Sequence, residues 1–156
     1  MNEIFLVKNL PKNYRHLNLE RSFCMTKPGL HYEQILEILS LIYKNNFLIE
    51  RLRFDFFEET DAFFLYNEHK EKPFFNEVID FMCQKTITNR QKVCFVELLK
   101  HNCVEDFRAL IGATDPAIAA QNTVRNKFGI NKMCNAIHGS ATKEDAYKEL
   151  DYFFPL

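Results

Sequence analysis

Residues 22–56 read SFCMTKPGLHYEQILEILSLIYKNNFLIERLRFDF, and the hydrophobic period changes twice within them. Ser22 to Thr26 is a short strand, stopped by the breaker triplet Lys27-Pro28-Gly29. From His31 onward Ile35, Leu36, Ile38, Leu39 and Ile42 recur at helical spacing, with Glu33, Glu37 and Lys44 between them. Asn45-Asn46 closes that helix, since Asn tolerates a left-handed cap. Leu52, Phe54 and Phe56 then alternate with Arg51, Arg53 and Asp55, the pattern of a half-buried strand.

The same reading extends outward. Thr60-Asp61 is an N-cap signal for a short helix to about His69. Lys72-Pro73 starts another, with Phe74, Val78, Ile79 and Met82 on one side. Residues 84–92 are a polar loop before a strand at Val93–Leu98. A helix with Val104, Phe107, Leu110 and Ile111 ends at Gly112, residues 113–133 are irregular, and Met133–Ile137 is a fourth strand. Thr142 caps a last helix that ends near Phe153. The order contains a βαββαβ skeleton. It predicts an α+β protein, a ferredoxin-like sandwich whose four-stranded antiparallel sheet has helices on one face and extra helices between its second and third strands. Residues 1–19, polar and without a sustained period, read as an N-terminal extension to one domain at 20–156.

Composition narrows the function classes. The chain has 156 residues, 20 Lys plus Arg against 21 Asp plus Glu, and a formal net charge of −1. A binder of nucleic acid is usually strongly basic, so no nucleic-acid partner is expected. The five cysteines (Cys24, Cys83, Cys94, Cys103, Cys134) are odd in number and lack CxxC spacing, which reads as reduced thiols in a cytoplasmic protein. Cys134 and His138 alone match no zinc site, and no metal-ligand set is expected. The apolar runs fall well short of the roughly 20 residues a membrane span needs, so no membrane partner is expected either.

Charge is uneven. From Arg108 to His138 the cations are Arg108, Arg125, Lys127 and Lys132 and the only anion is Asp115, a local excess of +3. Such a zone on a near-neutral protein suits a small anion. Within it, Asn135-Ala136-Ile137-His138-Gly139-Ser140 sets a His at the end of a strand, before Gly-Ser and a helix N-terminus that favours anions. Glu149, in that helix, is placed to reach back and orient the ring, the general form of an activated nucleophile or base.

These residues resemble the active-site signature of the nucleoside diphosphate kinases, which usually runs Asn-x-x-His-Gly-Ser-Asp-Ser. The resemblance extends from Glu20-Arg21 to Phe154. Arg108-Ala-Leu-Ile-Gly112-Ala-Thr114-Asp-Pro-Ala117 is similar to the family's Arg-x-x-x-Gly-x-Thr-Asn-Pro-Ala. Thr123-Val-Arg125-Asn-Lys-Phe128 is similar to its Thr-Ile-Arg-x-x-Phe. Tyr66 followed by Lys72-Pro-Phe-Phe75, and Lys27-Pro28 after the first strand, also match in order. The resemblance implies that His138 is the phosphorylated nucleophile, that Glu149 and Ser140 orient it and support the transferring phosphate, and that Lys27 belongs with this catalytic set. It implies that Lys27, Tyr66, Arg108, Thr114, Arg125 and Asn135 surround the phosphates and sugar. Phe74 stacks on the base, with Val78 and Lys132 at the same mouth. It further implies ping-pong transfer between nucleoside tri- and diphosphates, Mg²⁺ carried by the nucleotide phosphates, and a homo-oligomer built from dimers into tetramers or hexamers.

The chain departs from the pattern at Gly29, where the family has Asp after Lys-Pro, and at Ala141-Thr142, where it has Asp-Ser. About six residues are extra in the 84–92 loop. Two alternatives follow: a catalytically weakened nucleotide-binding or scaffold protein on the same fold, and a phosphotransferase that donates from His138 to a protein. His16, His31, His69 and His101 read as surface or capping residues, and the Phe56-Phe57 and Phe63-Phe64 pairs as core.

Overall fold

A computed structural model of the chain describes residues 5–6 and 18–156. The elements are β1 (Phe5–Leu6), β2 (Glu20–Thr26), α1 (Tyr32–Lys44), β3 (Leu48–Asp55), α2 (Glu59–Tyr66), α3 (Phe75–Met82), β4 (Val93–Lys100), α4 (Cys103–Ile111), α5 (Val124–Phe128), β5 (Ile137–Gly139) and α6 (Lys143–Phe153). A 3₁₀ turn, Asn67–His69, follows α2. The sheet order is β1-β3-β4-β2-β5, with every neighbouring pair antiparallel. Strands β2 to β5 form the four-stranded ferredoxin-like sheet. The two-residue β1 adds to its edge by pairing Phe5 with Leu52 and Leu6 with Arg51. It falls within the expected N-terminal extension; residues 1–4 and 7–17 of that extension lie outside the described residues.

Alternation along the strands builds two cores. Cys24 and, on β4, Cys94, Val96 and Leu98 point to the side where α1 contributes Ile35, Ile38 and Ile42 and α4 contributes Phe107 and Ile111. Phe23, Met25, Val93 and Phe95 point to the other side, against Ala62 of α2, Ile79 and Met82 of α3, and Leu150 and Phe153 of α6. The expectation of helices on one face is therefore corrected: helices cover both. Strand β4 shows why, since seven of its eight residues are buried, as a strand covered on both faces requires. Fully buried phenylalanines such as Phe23, Phe57 and Phe95 each contribute about 1.5–3 kcal/mol of transfer free energy. Phe23 stacks on Phe153 at 4.6 Å, which fastens α6 over β2.

Several local boundaries differ from the sequence reading. Helix α2 starts at Glu59, because the Glu58 N–H donates to Asp61 at 2.8 Å and so sets the cap before Thr60. Helix α3 starts at Phe75, two residues after Pro73, and buries Phe75 while Phe74 is left 46% exposed. The irregular region holds a five-residue helix, α5, capped by Thr123, whose Oγ1 accepts from the Asn126 N–H. The last strand is Ile137–Gly139, displaced from 133–137 by the positive φ of Ala136 (75°), which no regular strand accommodates. Of the aromatic pairs, Phe57 is core, while Phe56, Phe63 and Phe64 are exposed. Phe64 stacks on Tyr152 at 4.0 Å.

Candidate active site

Strand β5 mounts His138 on the sheet, in register with Met25 of β2. Its side chain keeps 20% of its exposure. The ring is fixed from behind: His138 Nε2 lies 2.9 Å from Glu149 Oε1. The other carboxylate oxygen of Glu149 accepts from the Ser140 hydroxyl, and that hydroxyl accepts from the Phe23 N–H at 3.3 Å. Glu149 and Ser140 are buried, so the relay meets the cleft mainly through the His138 ring. An ionised carboxylate only accepts. The contact therefore favours the tautomer that donates from Nε2 and turns the Nδ1 lone pair towards the cleft.

The cleft in front of the ring consists of two adjoining hollows of about 390 and 530 Å³ that share Tyr66, His69, Thr114, Arg125 and His138. The first is polar, with Arg108, Asp145 and Lys148 in its wall. The second is largely apolar, walled by Phe74, Val78, Phe81 and Met82, and carries Lys27, Lys132 and Asn135. Its shape suits a ligand with one charged end and one flat apolar end.

The cations are held by backbone carbonyls. Arg125 donates from Nη1 to Gly112 O and from Nη2 to Ile137 O, both at 3.0 Å. Lys27 Nζ donates to Met133 O at 3.2 Å. Burial, aided by Arg125, lowers the Lys27 ammonium from its ordinary value to about 8. Burial and the neighbouring Arg108 likewise lower Arg125 to about 10. Burial, with Glu149 nearby, raises the Tyr66 hydroxyl, which stays protonated as a donor. Among the described residues, the Tyr66 hydroxyl, Arg125 Nε and Asn135 Oδ1 are buried without a hydrogen-bond partner, and all three residues line the cleft. Native proteins leave few such atoms unpaired unless a ligand or water completes them. Asn135 Nδ2 is anchored to Thr114 O at 2.9 Å.

The profile of a family described as nucleoside diphosphate kinase matches residues 20–156. The chain belongs to the nucleoside diphosphate kinase family. It is 34% identical over 137 residues to a nucleoside diphosphate kinase of Lawsonia intracellularis, covering 87% of this chain and 95% of that one. It is 36% identical to one from Chlamydia pneumoniae, covering 87% and 91%. Among solved structures, it matches the Aquifex aeolicus nucleoside diphosphate kinase with a TM-score of 0.79 at 31% identity, over 87% of this chain and 95% of that one. It matches a halophilic nucleoside diphosphate kinase from Halobacterium salinarum in complex with CDP with a TM-score of 0.75 at 27% identity, over 86% and 87%.

The fold brings the residues read from the sequence into one place. Lys27, Tyr66, Phe74, Val78, Arg108, Thr114, Arg125, Lys132, Asn135, His138 and Glu149 all line the two hollows. Ser140 lies beneath them and reaches His138 through Glu149. Lys127 of the basic segment points elsewhere, pairing with Glu37 at 3.3 Å. His69, read as a surface residue, stands in the wall of both hollows with its ring 6.0 Å from that of Phe74. Its position three residues after Tyr66, one turn on, was the signal for it. Phe81 and Lys148 were also missed; Phe81 follows Phe74 and Val78 at the spacing of one helix face, and Lys148 precedes Glu149 on α6.

Proposed function

We propose that this chain is a nucleoside diphosphate kinase that works through a phosphohistidine, and the observation that carries the reading is the Ser140–Glu149–His138 relay at the floor of the cationic cleft. With Nε2 held by Glu149, the Nδ1 lone pair of His138 attacks the γ-phosphorus of a nucleoside triphosphate. The bond from that phosphorus to the β,γ-bridging oxygen breaks, and a nucleoside diphosphate leaves. A second diphosphate then attacks the phosphorus with a terminal β-phosphate oxygen, breaking the P–N bond and restoring the ring. Phosphoryl transfer demands positioning and charge stabilisation, which the cleft supplies.

Arg108, Arg125 and Lys27 face the phosphates, Arg125 as a planar fork and Lys27 as a point charge. Tyr66, Thr114 and Asn135 offer hydroxyl and amide groups to phosphate and sugar. Phe74, exposed at the mouth beside Val78 and Lys132, stacks on the base; an aromatic face accepts any base, so broad base tolerance follows. The donor set of the cleft is cations, hydroxyls and amides, and among the described residues no group of three or more His, Cys, Asp or Glu could hold a metal. That set suits Mg²⁺ held by the nucleotide's own phosphates, where it neutralises charge as the phosphoryl group moves.

Incubation with ATP and Mg²⁺ is expected to place one acid-labile, base-stable phosphate on wild type and none on His138→Ala. A wild type that binds nucleoside diphosphate by calorimetry but takes up no phosphate sinks this reading in favour of the scaffold alternative. Transfer from phospho-enzyme to a protein faster than to any nucleoside diphosphate favours the protein phosphotransferase.

The reading also includes a cytoplasmic homo-oligomer built from dimers. No helix among the described residues is long and apolar enough to cross a membrane. Leu36 and Tyr43, one heptad apart on the outer face of α1, are exposed, as are Ile118 and Ile130, which supports self-association. Sedimentation showing only monomer at micromolar concentration excludes it.

A further inference from the structure

The loop between α3 and β4 is tied to the cleft by two glutamines in series. Gln84 is buried just past the C-terminus of α3, with φ of 52°. Its Nε2 donates to the Gln91 carbonyl at 2.8 Å, and its Oε1 accepts from the Gln91 N–H at 2.7 Å. Gln91 in turn grips the turn after β2. Its Oε1 accepts from the Gly29 N–H at 3.1 Å and its Nε2 donates to the Leu30 carbonyl. Each carboxamide spends a donor and an acceptor on backbone, as a rung of a β-ladder does.

The turn held in this way carries Lys27. On one side Lys27 is fixed by its own N–H, which donates to the Ala136 carbonyl at 2.8 Å; beyond it Pro28 lacks an N–H and Gly29 lacks a side chain, so the far side of the turn depends on Gln91. Gly29 sits at φ of 96° with nothing within 4 Å of where a Cβ would stand, so conformation, and not crowding, requires glycine there. Next to Gln91, Arg90 donates from Nη2 to the carbonyl of buried Phe57 at 2.7 Å and pairs with Glu58 at 3.3 Å, at the start of α2, while the loop's other end leaves the C-terminus of α3 at Gln84. Helices α2 and α3, with the turn between them, bear Tyr66, Phe74 and Val78. The loop thus runs from the wall that bears these residues to the wall that bears Lys27.

We propose that Gln91, held by Gln84, is a positioning residue for Lys27, so that loop 84–92 fixes the spacing between the two walls of the cleft. The inference rests on the phosphotransfer reading, in which Lys27 meets the phosphates. Small displacements of a charge-stabilising group are costly in rate, up to about 100-fold for 1 Å. Gln91→Ala leaves Lys27 in place but loosens its turn, so kcat is expected to fall about tenfold, with KM within about twofold.

The test combines kinetics with amide exchange measured by NMR. Gln91→Ala is expected to lower kcat as stated and to speed exchange of the Gly29 amide at least about tenfold. Thr88→Ala, exposed in the same loop, is expected to change neither. In a Lys27→Ala background, adding Gln91→Ala is expected to cost less than about twofold, because the residue it positions is gone. Gln84→Ala, which spares the Gln91 side chain, is expected to move kcat and Gly29 exchange in the same direction, and it serves where Gln91→Ala does not fold. Wild-type kcat in a Gln91→Ala protein whose Gly29 amide exchanges freely overturns the proposal, and so does a full multiplicative loss in the double variant. An inactive wild type overturns the phosphotransfer reading instead, and Gly29 exchange still reports whether Gln91 holds the turn.

Discussion

Glu149→Gln tests the relay with the smallest change of shape. The carboxylate accepts twice, from His138 Nε2 at 2.9 Å and from the Ser140 hydroxyl. A carboxamide accepts at one end and donates at the other. With its oxygen towards Ser140, its NH₂ group faces Nε2, which must then accept; the ring proton moves to Nδ1 and blocks the nucleophile. With its oxygen towards His138 the tautomer survives, since Ser140 can turn its proton to the Phe23 carbonyl at 3.2 Å. The negative charge that, in the proposed phosphotransfer, steadies the ring as phosphorus bonds to it is still lost. Exchanging a charge-assisted hydrogen bond for a neutral one costs about 1–2 kcal/mol. At 1.36 kcal/mol per factor of ten, kcat is expected to fall about 5- to 30-fold. A coupled ATP/dTDP assay under saturating substrate reads this, with circular dichroism confirming an unchanged fold. A folded variant with kcat within twofold of wild type would refute the argument that Glu149 sets the reactive state of the ring.

Four further outcomes follow from the same structure. Gly139→Ala places a Cβ 2.9 Å from Phe107 Cδ1 and 3.1 Å from Ile111 Cδ1, both in the packed core, so a stability loss of about 1–3 kcal/mol is expected in urea titration. Lys27 titrates at about 8 among Arg125, Cys134, Tyr66 and His138, so kcat/KM is expected to fall as pH rises through 8, with that limb missing in Lys27→Met. Stability goes the other way: between about pH 8 and 10.5 the unfolded chain holds more protons at this lysine, so its contribution stabilises the free protein as pH rises, which thermal melts across that window read. Cys24, Cys83, Cys94 and Cys103 are buried, and burial pushes Cys94 and Cys103 up to about 12 and Cys83 up to about 11. Iodoacetamide is therefore expected to modify Cys134 alone in the native protein, counted by mass spectrometry.

The sequence carried the fold where a period repeats long enough to be unambiguous. Ile35, Ile38 and Ile42 mark α1 within a residue of its ends, and Thr142 caps α6 as its chemistry predicts. Short elements were harder. Helix α5 has five residues, too few for a period to emerge, and β5 has three. The apolar run at Met133-Cys134 imitated a strand, but the Ile130 N–H bonds to Cys134 O at 2.8 Å and folds it into a turn. Coverage of both sheet faces was written in β4, where Val93 to Leu99 is buried throughout; its run of apolar residues did not alternate because neither face meets water. In the cleft, residues in motifs could be read, since spacing pins them. Gln91 could not, because its part depends on the turn after β2, which only the tertiary fold brings near.

The way Arg125 and Lys27 are tethered has a thermodynamic consequence. Their guanidinium and ammonium groups are oriented by the carbonyls of Gly112, Ile137 and Met133, dipoles that steer a charge without cancelling it. Lys132 pairs with Asp115 at 3.7 Å, but Arg125 meets only backbone carbonyls among its hydrogen-bond partners in the described residues. The cleft therefore resembles a charged capacitor: mutual repulsion among its cations is stored when the chain folds, and a docking polyphosphate would release it.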